Sequence, residues 1–454
     1  MTIGRRQVTW LALIVATSGC NADQEPAGAS TGGAAGSSAG AAGAGAAGAG
    51  GGVAGSGGAG SDLDGSSDRD AARRSFGIFV GSDFIGNQVK LTAVDWASHA
   101  VAGSTLIPTA FADAVPFAER GGAFLLERSA SKLLLLDRDQ PWLGTASIDL
   151  AASDDSGIGT NPVAVVYTGT NAYVPLYFAN SIAVVDVAQK KVTGAIDLSR
   201  FADASDSDGR VDVFDGTYDA SARRAYFLLQ RIPQFERGID PDRASPCLPV
   251  TPLIIAVDTT NDSLVDLDGD GGNGALALIG ANPTAFVPDL AAGRLLVVDA
   301  GCYDPPEGGI GDGGPDAQAS LPREGRGIEA LTLASGASAW LYRHTGTERL
   351  SGMVLVDATH AFVSTDDASL DTHWHAWDPS MPTLGAQVTS FPKFGPRLVG
   401  PGQIVGLSHV DVDAGTANAL VSFDVASGQT TTLVSDIFGD PKYDGRYNGW
   451  ALLQ

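Results

Sequence analysis

Two short segments carry residues whose types and spacing suit metal chemistry. In Asp266-Leu267-Asp268-Gly269-Asp270-Gly271, carboxylates stand at positions 1, 3 and 5 of a loop with glycine at 6. That spacing lets three carboxylates turn inward around a hard cation such as calcium, while the glycine takes the sharp turn. Position 12, where a bidentate Glu would complete such a loop, is Ala277, so Asp262 or Asn273 would have to supply further oxygens. A solvated acidic turn accounts for the same residues, and an ion held here would be structural. In Asp371-Thr372-His373-Trp374-His375, alternation along a strand puts His373 and His375 on one face, where they could share a transition metal. Spacing does not fix a third ligand; His344, His360 and His409 are the candidates, and a surface or packing role for the pair is the plainer alternative. No nucleophile elbow, phosphate loop or CxxC motif is present.

These segments sit in a chain that repeats itself. From Phe76 onward, apolar runs of four to eight residues recur between Gly, Asn, Asp and Pro, and none sustains a helical period. Several runs end in aspartate: Val94-Asp95, Leu136-Asp137, Val185-Asp186, Val257-Asp258 and Phe423-Asp424. The first three intervals between these aspartates are 42, 49 and 72 residues, the longest swollen by an insertion. The clearest unit, Asn161–Leu198, holds four apolar runs: Pro162–Tyr167, Ala172–Tyr177, Ser181–Asp186 and Lys191–Leu198. Four short strands in about 40 residues make one blade of a β-propeller. With Tyr173-Val174 and the terminal Val185-Asp186, this unit resembles the YVTN-type repeats of surface-layer and periplasmic seven-bladed propellers, although Pro175-Leu176 replace the usual Thr-Asn.

The resemblance implies an all-β fold over residues 76–454, a propeller of seven four-stranded blades. On that frame the other blades are Asp113–Leu150, Asp212–Ile279, Asn282–His344, Ser351–Phe391 and Gln403–Ser435, the last short of one strand. Phe76–Pro108 gives only three strands, and the C-terminal run Asn448–Leu453 is placed to supply the fourth. Pairing last strand with first would close the ring without an exposed edge. Two insertions, Ile232–Val250 and Cys302–Gly325, both fall between the second and third strands of neighbouring blades and so leave the same side of the ring. Each contains a cysteine, so a Cys247–Cys302 disulfide is expected in an oxidising compartment. Long loops on a rigid scaffold are where binding usually resides. The acidic second insertion, with Asp304, Glu307, Asp312 and Asp316, would suit a cationic partner or a metal.

The N-terminus reads as an address. Arg5-Arg6 precede the apolar run Val8–Ala16, which is too short to span a bilayer, and then Thr17-Ser18-Gly19-Cys20. The last four residues resemble a bacterial lipobox, with Thr17 where Leu is preferred, which implies cleavage after residue 19 and acylation of Cys20, a palmitate included. Two or more acyl chains anchor a protein stably where one does not. Between Thr31 and Gly60 there are 14 glycines, the rest nearly all Ala and Ser, a composition with nothing to bury. The expected organisation is a signal peptide over 1–19, a disordered tether over 20–75 and the propeller over 76–454.

Charge excludes one class of partner. With 28 Lys and Arg against 52 Asp and Glu, the chain has a net charge of −24 and no basic surface for nucleic acid. Together the lipobox and propeller resemblances imply an exported lipoprotein of the outer membrane or cell surface, attached through its lipid, whose propeller is expected to bind an unidentified protein or small molecule without transforming it. The alternative is an enzyme of lactonase-like or quinoprotein-like type using the central channel. Such an enzyme should gather charged residues on its innermost strands. Those strands, such as Pro162–Tyr167 and Pro283–Pro288, are largely apolar, with Asp215, Asp219 and Asp289 as their few polar members.

Overall fold

The computed structural model describes residues 74–454 apart from 84–86, 109–112, 151–158, 204–208, 233–249, 270, 272–273, 302–324, 368, 370, 413–414 and 445–446. The signal peptide, the tether up to residue 73, Cys20, Cys247, Cys302, Asp270, Asn273 and nearly all of both insertions therefore lie outside the described residues. The described chain is a seven-bladed β-propeller.

Blade one is β1 (Phe76–Asp83), β2 (Gln88–Asp95) and β3 (Ala100–Pro108), with β28 (Tyr447–Leu453) as its innermost strand. Blade two is β4 (Ala114–Glu119), β5 (Gly122–Glu127), β6 (Lys132–Leu136) and β7 (Gly144–Asp149). Blade three is β8 (Val166–Tyr167), β9 (Asn171–Leu176), β10 (Ser181–Asp186) and β11 (Lys191–Asp197). Blade four is β12 (Val213–Asp219), β13 (Arg224–Leu229), β14 (Leu253–Asp258) and β15 (Ser263–Val265), with β16 (Leu276–Ala277) also on β14. Blade five is β17 (Pro283–Asp289), β18 (Arg294–Asp299), β19 (Gly327–Thr332) and β20 (Ser338–Arg343). Blade six is β21 (Arg349–Leu355), β22 (Ala361–Asp366) and β23 (Thr372–Trp377). Blade seven is β24 (Phe394–Gly400), β25 (Gln403–Val412), β26 (Gly415–Asp424) and β27 (Gln429–Val434).

Two sequence boundaries need correcting. The last blade is not short of a strand: it begins earlier, with β24, whose Phe-Gly-Pro-Arg-Leu-Val-Gly sequence lacks the alternation that marks a strand. The blade read as Ser351–Phe391 has three regular strands. Its fourth is reduced to an isolated bridge between His375 and Gln387, flanked by Val388 N–H donating to the Trp374 carbonyl at 2.7 Å.

Packing explains the pattern of the runs. Strands in the middle of a blade are covered by a neighbouring blade on each face, so β10 (Ser-Ile-Ala-Val-Val-Asp) and β14 (Leu-Ile-Ile-Ala-Val-Asp) are buried through four consecutive residues. Alternate side chains serve opposite neighbours. Ile255 and Val257 of β14 join the core shared with blade three, while Ile254 and Ala256 join the core shared with blade five. Seven apolar clusters arise in this way, one between each adjacent pair of blades. The seventh closes the ring. In it Trp450 of β28 stacks on Phe79 with ring centroids 5.6 Å apart, and packs among Val405, Leu407 and Leu420 of blade seven. Strand β28 runs antiparallel to β1, with Phe76 opposite Leu453 and Phe79 opposite Trp450.

The recurring terminal aspartates are turn caps. Asp95 Oδ1 accepts the N–H groups of Ala97 and Ser98, Asp137 those of Asp139 and Gln140, Asp186 that of Gln189, Asp258 that of Thr260 and Asp424 that of Ser427. Each closes the hairpin from third to fourth strand, the turn for which a short acidic side chain offers a local acceptor. A second repeat sits at the opposite end. The N–H after the second strand donates to the residue preceding the innermost strand in four successive blades: Arg128 to Asp113, Tyr177 to Asn161, Gln230 to Asp212 and Ala300 to Asn282, at 3.0–3.2 Å. Asn161, Asp212 and Asn282 hold φ of 45–51°, a left-handed conformation that Asn and Asp tolerate best after glycine.

Candidate functional site: the central channel

The innermost strands β28, β4, β8, β12, β17, β21 and β24 line the axis of the ring. Five of them carry a bulge near their start: between Tyr447 and Gly449, Val213 and Asp215, Pro283 and Ala285, Leu350 and Gly352, and Phe394 and Arg397. A bulge re-aims the side chains that follow it. In β12 and β24 the residues that follow are charged, Asp215 and Arg397.

Asp215 is enclosed by protein yet keeps part of its surface open to the channel. Its Oδ1 accepts the N–H of Gly216 at 2.8 Å. Gly216 is required because a Cβ there would stand 2.7 Å from Val166 Cγ2 of the adjoining innermost strand and 2.8 Å from the Phe227 ring. Burial raises the Asp215 carboxyl to about 6, against the pull of the Gly216 N–H and of the Arg397 charge. Blade four is thus within electrostatic reach of blade seven. Arg397 is exposed although it lies on an innermost strand, with its guanidinium carbon 5.8 Å from the Trp450 ring centroid. The indole is fixed in turn by its N–H, which donates to the Gly395 carbonyl at 2.6 Å. Among the described residues, nothing hydrogen-bonds the Arg397 guanidinium.

A second polar station lies where the innermost strands turn back. Glu119 Oε2 accepts the Tyr167 N–H at 3.1 Å, and Arg120 approaches Glu119 at 3.7 Å. Arg120 of blade two also lies over the Tyr218 ring of blade four at 4.6 Å, reaching past blade three. Burial pushes the Glu119 carboxyl up, against the Tyr167 N–H and the Arg120 charge. The other polar residues expected on these strands are committed locally: Asp219 accepts the Ser221 N–H at 2.8 Å, and Asp289 pairs with Arg294 at 2.7 Å.

The metal candidates are placed as follows. The Asp266 carboxylate accepts the N–H groups of Gly269 and Gly271, and Asp268 also lies against it. Asp262 does not turn toward that loop; it accepts the Tyr173 hydroxyl from blade three. His373 pairs with Asp367 at 3.1 Å and meets Gln387 at 3.0 Å, while His375 lies 3.4 Å from Thr365 Oγ1. Of the proposed third ligands, His344 is near enough to His375 to feel its charge. His360 sits in an exposed turn against Asp357, and His409 packs on the Phe394 ring. His344 is buried and hydrogen-bonds the Tyr342 hydroxyl at 2.7 Å; burial and the Arg326 charge hold its pKa down. Among the described residues, no three His, Cys, Asp or Glu side chains converge on one point.

Arg397, Glu119 and Arg120 were not singled out from sequence. Arg397 lies on the strand whose pattern was unreadable, and Glu119 and Arg120 occupy a turn like any other. No family model matches the chain, and no curated protein matches it in sequence. Solved propellers do resemble it in shape. Hydrazine synthase of Kuenenia stuttgartiensis matches over 83% of this chain and 100% of its own at 10% identity, with a TM-score of 0.47. Apo AztD from Citrobacter koseri matches over 84% and 98% at 11% identity, with a TM-score of 0.42. The dihydro-heme d1 dehydrogenase NirN matches over 79% and 73% at 14% identity, with a TM-score of 0.40. Likeness at this level extends to neither ligand nor reaction.

Proposed function

We propose that the protein is an envelope lipoprotein, anchored through Cys20, whose propeller takes a small ligand in its central channel and binds it without transforming it. The observation that carries the channel reading is the placement of Asp215 and Arg397. Two opposite charges on rigid, bulged innermost strands face a shared space without neutralising each other in a direct ion pair. Polar groups fixed in this way orient a ligand. Anchoring rests on Ser18-Gly19-Cys20 and the Gly/Ala/Ser segment that follows. Calcium at Asp266, Asp268 and Asp270 would be a structural ion.

Cys20→Ala should release the protein from membrane fractions or block its processing; a processed variant that stays membrane-bound removes the anchor. For the channel, a small-molecule panel is screened by thermal shift against the full chain and against the Asp215→Asn/Arg397→Met double variant. Ligands that stabilise only the wild type support the site, and stabilisation unchanged in the double variant refutes it. A melting temperature indifferent to EDTA removes the calcium.

The second reading, an enzyme, is favoured by the Asp215 carboxyl itself. An acid near 6 in an enclosed site suits proton transfer at neutral pH. Turnover of a channel ligand, lost in Asp215→Asn with binding retained, would decide for it.

A further inference from the structure

We infer that the channel ligand is an anion, its acid group gripped by Arg397 and its hold set by whether Asp215 opposite carries a charge. The inference rests on the channel being the ligand site and adds the chemical class of what fills it.

Arg397 is set apart by its place: Arg343 is also exposed over a tryptophan ring without a hydrogen bond or ion pair among the described residues, but it ends the outermost strand of blade five, whereas Arg397 lies on an innermost strand. Arg128, Arg231 and Arg294 pair with carboxylates, and Arg138 and Arg326 donate to backbone carbonyls. Arg397 does neither, although the chain carries 52 acidic residues against 28 basic ones. A guanidinium left unpaired on an innermost strand of so acidic a protein is placed to meet a ligand in the channel. Its planar fork of donors matches carboxylate, sulfate or phosphate oxygens two at a time. The group is also pre-positioned. It lies over Trp450, which is locked by its bond to Gly395 and stacks on Phe79 and Trp96 at interplanar angles of 10–11°. Little ordering is left to do when a ligand arrives.

Asp215 supplies the control. Of the charged groups on the innermost strands, Glu119 is tied to Tyr167 and Arg120, Asp289 to Arg294, and Asp219 to its own turn. Arg349 stands at the head of β21, and Arg397 is the charge that acts on Asp215. When Asp215 is protonated, an anion on Arg397 meets no opposing charge. When it ionises, the new carboxylate repels the ligand and draws on the same guanidinium. Affinity should therefore fall as the pH rises through about 6. By linkage, a bound anion must raise the Asp215 pKa in turn.

The test uses sulfate and methanesulfonate, whose charges do not change between pH 5 and 8. Binding to the full chain is measured by calorimetry at low ionic strength. The wild type should bind sulfate roughly tenfold more tightly at pH 5 than at pH 7.5. Arg397→Met should abolish binding, and Arg397→Lys should weaken it while keeping the pH dependence. Asp215→Asn should bind equally at both pH values, at the wild-type level of pH 5. No sulfate binding by the wild type at pH 5, binding that survives in Arg397→Met, or a pH dependence that survives in Asp215→Asn each overturns the inference. If the thermal-shift panel yields a channel ligand but neither anion binds, the anion assignment fails while the channel reading stands.

Discussion

Asp299 and Glu329 place two carboxyl groups against each other in the interior of blade five, both fully shielded from solvent. Glu329 is well served: it accepts the N–H groups of Ile279 at 2.9 Å and Gly280 at 3.1 Å, and the Ser338 hydroxyl. Asp299 is not. Neither of its oxygens receives an N–H or O–H from the described residues, and Gly280 is so close that a Cβ there would meet the carboxyl carbon at 2.1 Å. Two adjacent buried carboxylates cannot both ionise, so the pair keeps one proton, on Asp299, donated to Glu329.

That proton makes stability depend on pH. Burial first, and the Glu329 charge second, raise the Asp299 pKa well above its ordinary value. The unfolded chain releases this proton near pH 4 while the folded chain keeps it. Stability should therefore decline as the pH climbs above about 4, by about 1.4 kcal/mol for each unit that the pKa is raised. Asp299→Asn is nearly isosteric and puts a permanent donor against Glu329. It should erase this part of the decline and be more stable than the wild type at pH 8, as read by urea unfolding at pH 5 and pH 8. A variant less stable than the wild type at pH 8 would show that no proton is held there.

Ring closure depends on Trp450. It lies between two blades, stacks on Phe79 and Trp96, and donates to Gly395 across the seam. Trp450→Ala should cost about 3–5 kcal/mol, the usual range for emptying a buried aromatic site. Trp450→Phe keeps most of the stack but loses the hydrogen bond, and should cost about 1–2 kcal/mol. Denaturant midpoints for the two variants check the order. If Trp450→Ala unfolds like the wild type, the seam is not closed by β28.

How far the sequence could be read follows from the range of each interaction. The aspartates ending the third strands were visible because a turn cap is local: Asp258 and Thr260 are two residues apart and fix their own geometry. The Asn161-Pro162 and Asn282-Pro283 openings were visible for the same reason, since a left-handed residue selects Asn. Asp215 was noticed as a polar residue in an apolar strand, but its partner was not. Arg397 lies on β24, where Gly395 and Pro396 form an irregular bulge that hides the strand. The Asp299–Glu329 pair gave no signal, because residues on neighbouring strands meet only after the sheet has formed. Fold was legible from local patterns; the channel is made by distant ones.

The turn caps should fail in acid. The N–H and hydroxyl of Ser98 hold the Asp95 carboxyl below its ordinary value. A depressed folded pKa gives stability that is present above about pH 4 and lost as the pH falls through the folded value. Asp95→Asn keeps an acceptor for the turn and should lose only this pH dependence. Asp95→Ala should cost about 0.5–1 kcal/mol at pH 7, a figure reduced for solvent screening, and differ little from the wild type at pH 2. Thermal melts at pH 7 and pH 2 separate the two. Equal melting temperatures for Asp95→Ala and the wild type at pH 7 would make the repeated aspartates ornamental.

The Cys247–Cys302 disulfide can be argued from where its two loops begin. Gln230 directly follows β13, and its side-chain amide donates to the Pro283 carbonyl. Ala300 directly follows β18, and its N–H donates to the Asn282 carbonyl at 3.0 Å. The two insertions are therefore rooted on adjacent peptide units, on the same side of neighbouring blades. Gly301, immediately before Cys302, is held by its N–H to the Ala281 carbonyl at 2.9 Å. In sequence, Cys302 directly follows Gly301 and Cys247 precedes Val250 by three residues; both cysteines lie outside the described residues. A bond between them would close a loop of roughly 55 residues and stabilise the fold by about 4 kcal/mol in the chain-entropy model. Non-reducing peptide mapping of protein taken from its native compartment should recover the two cysteines in one linked species, and dithiothreitol should lower the melting temperature. Two free thiols in that material would dismiss the bond.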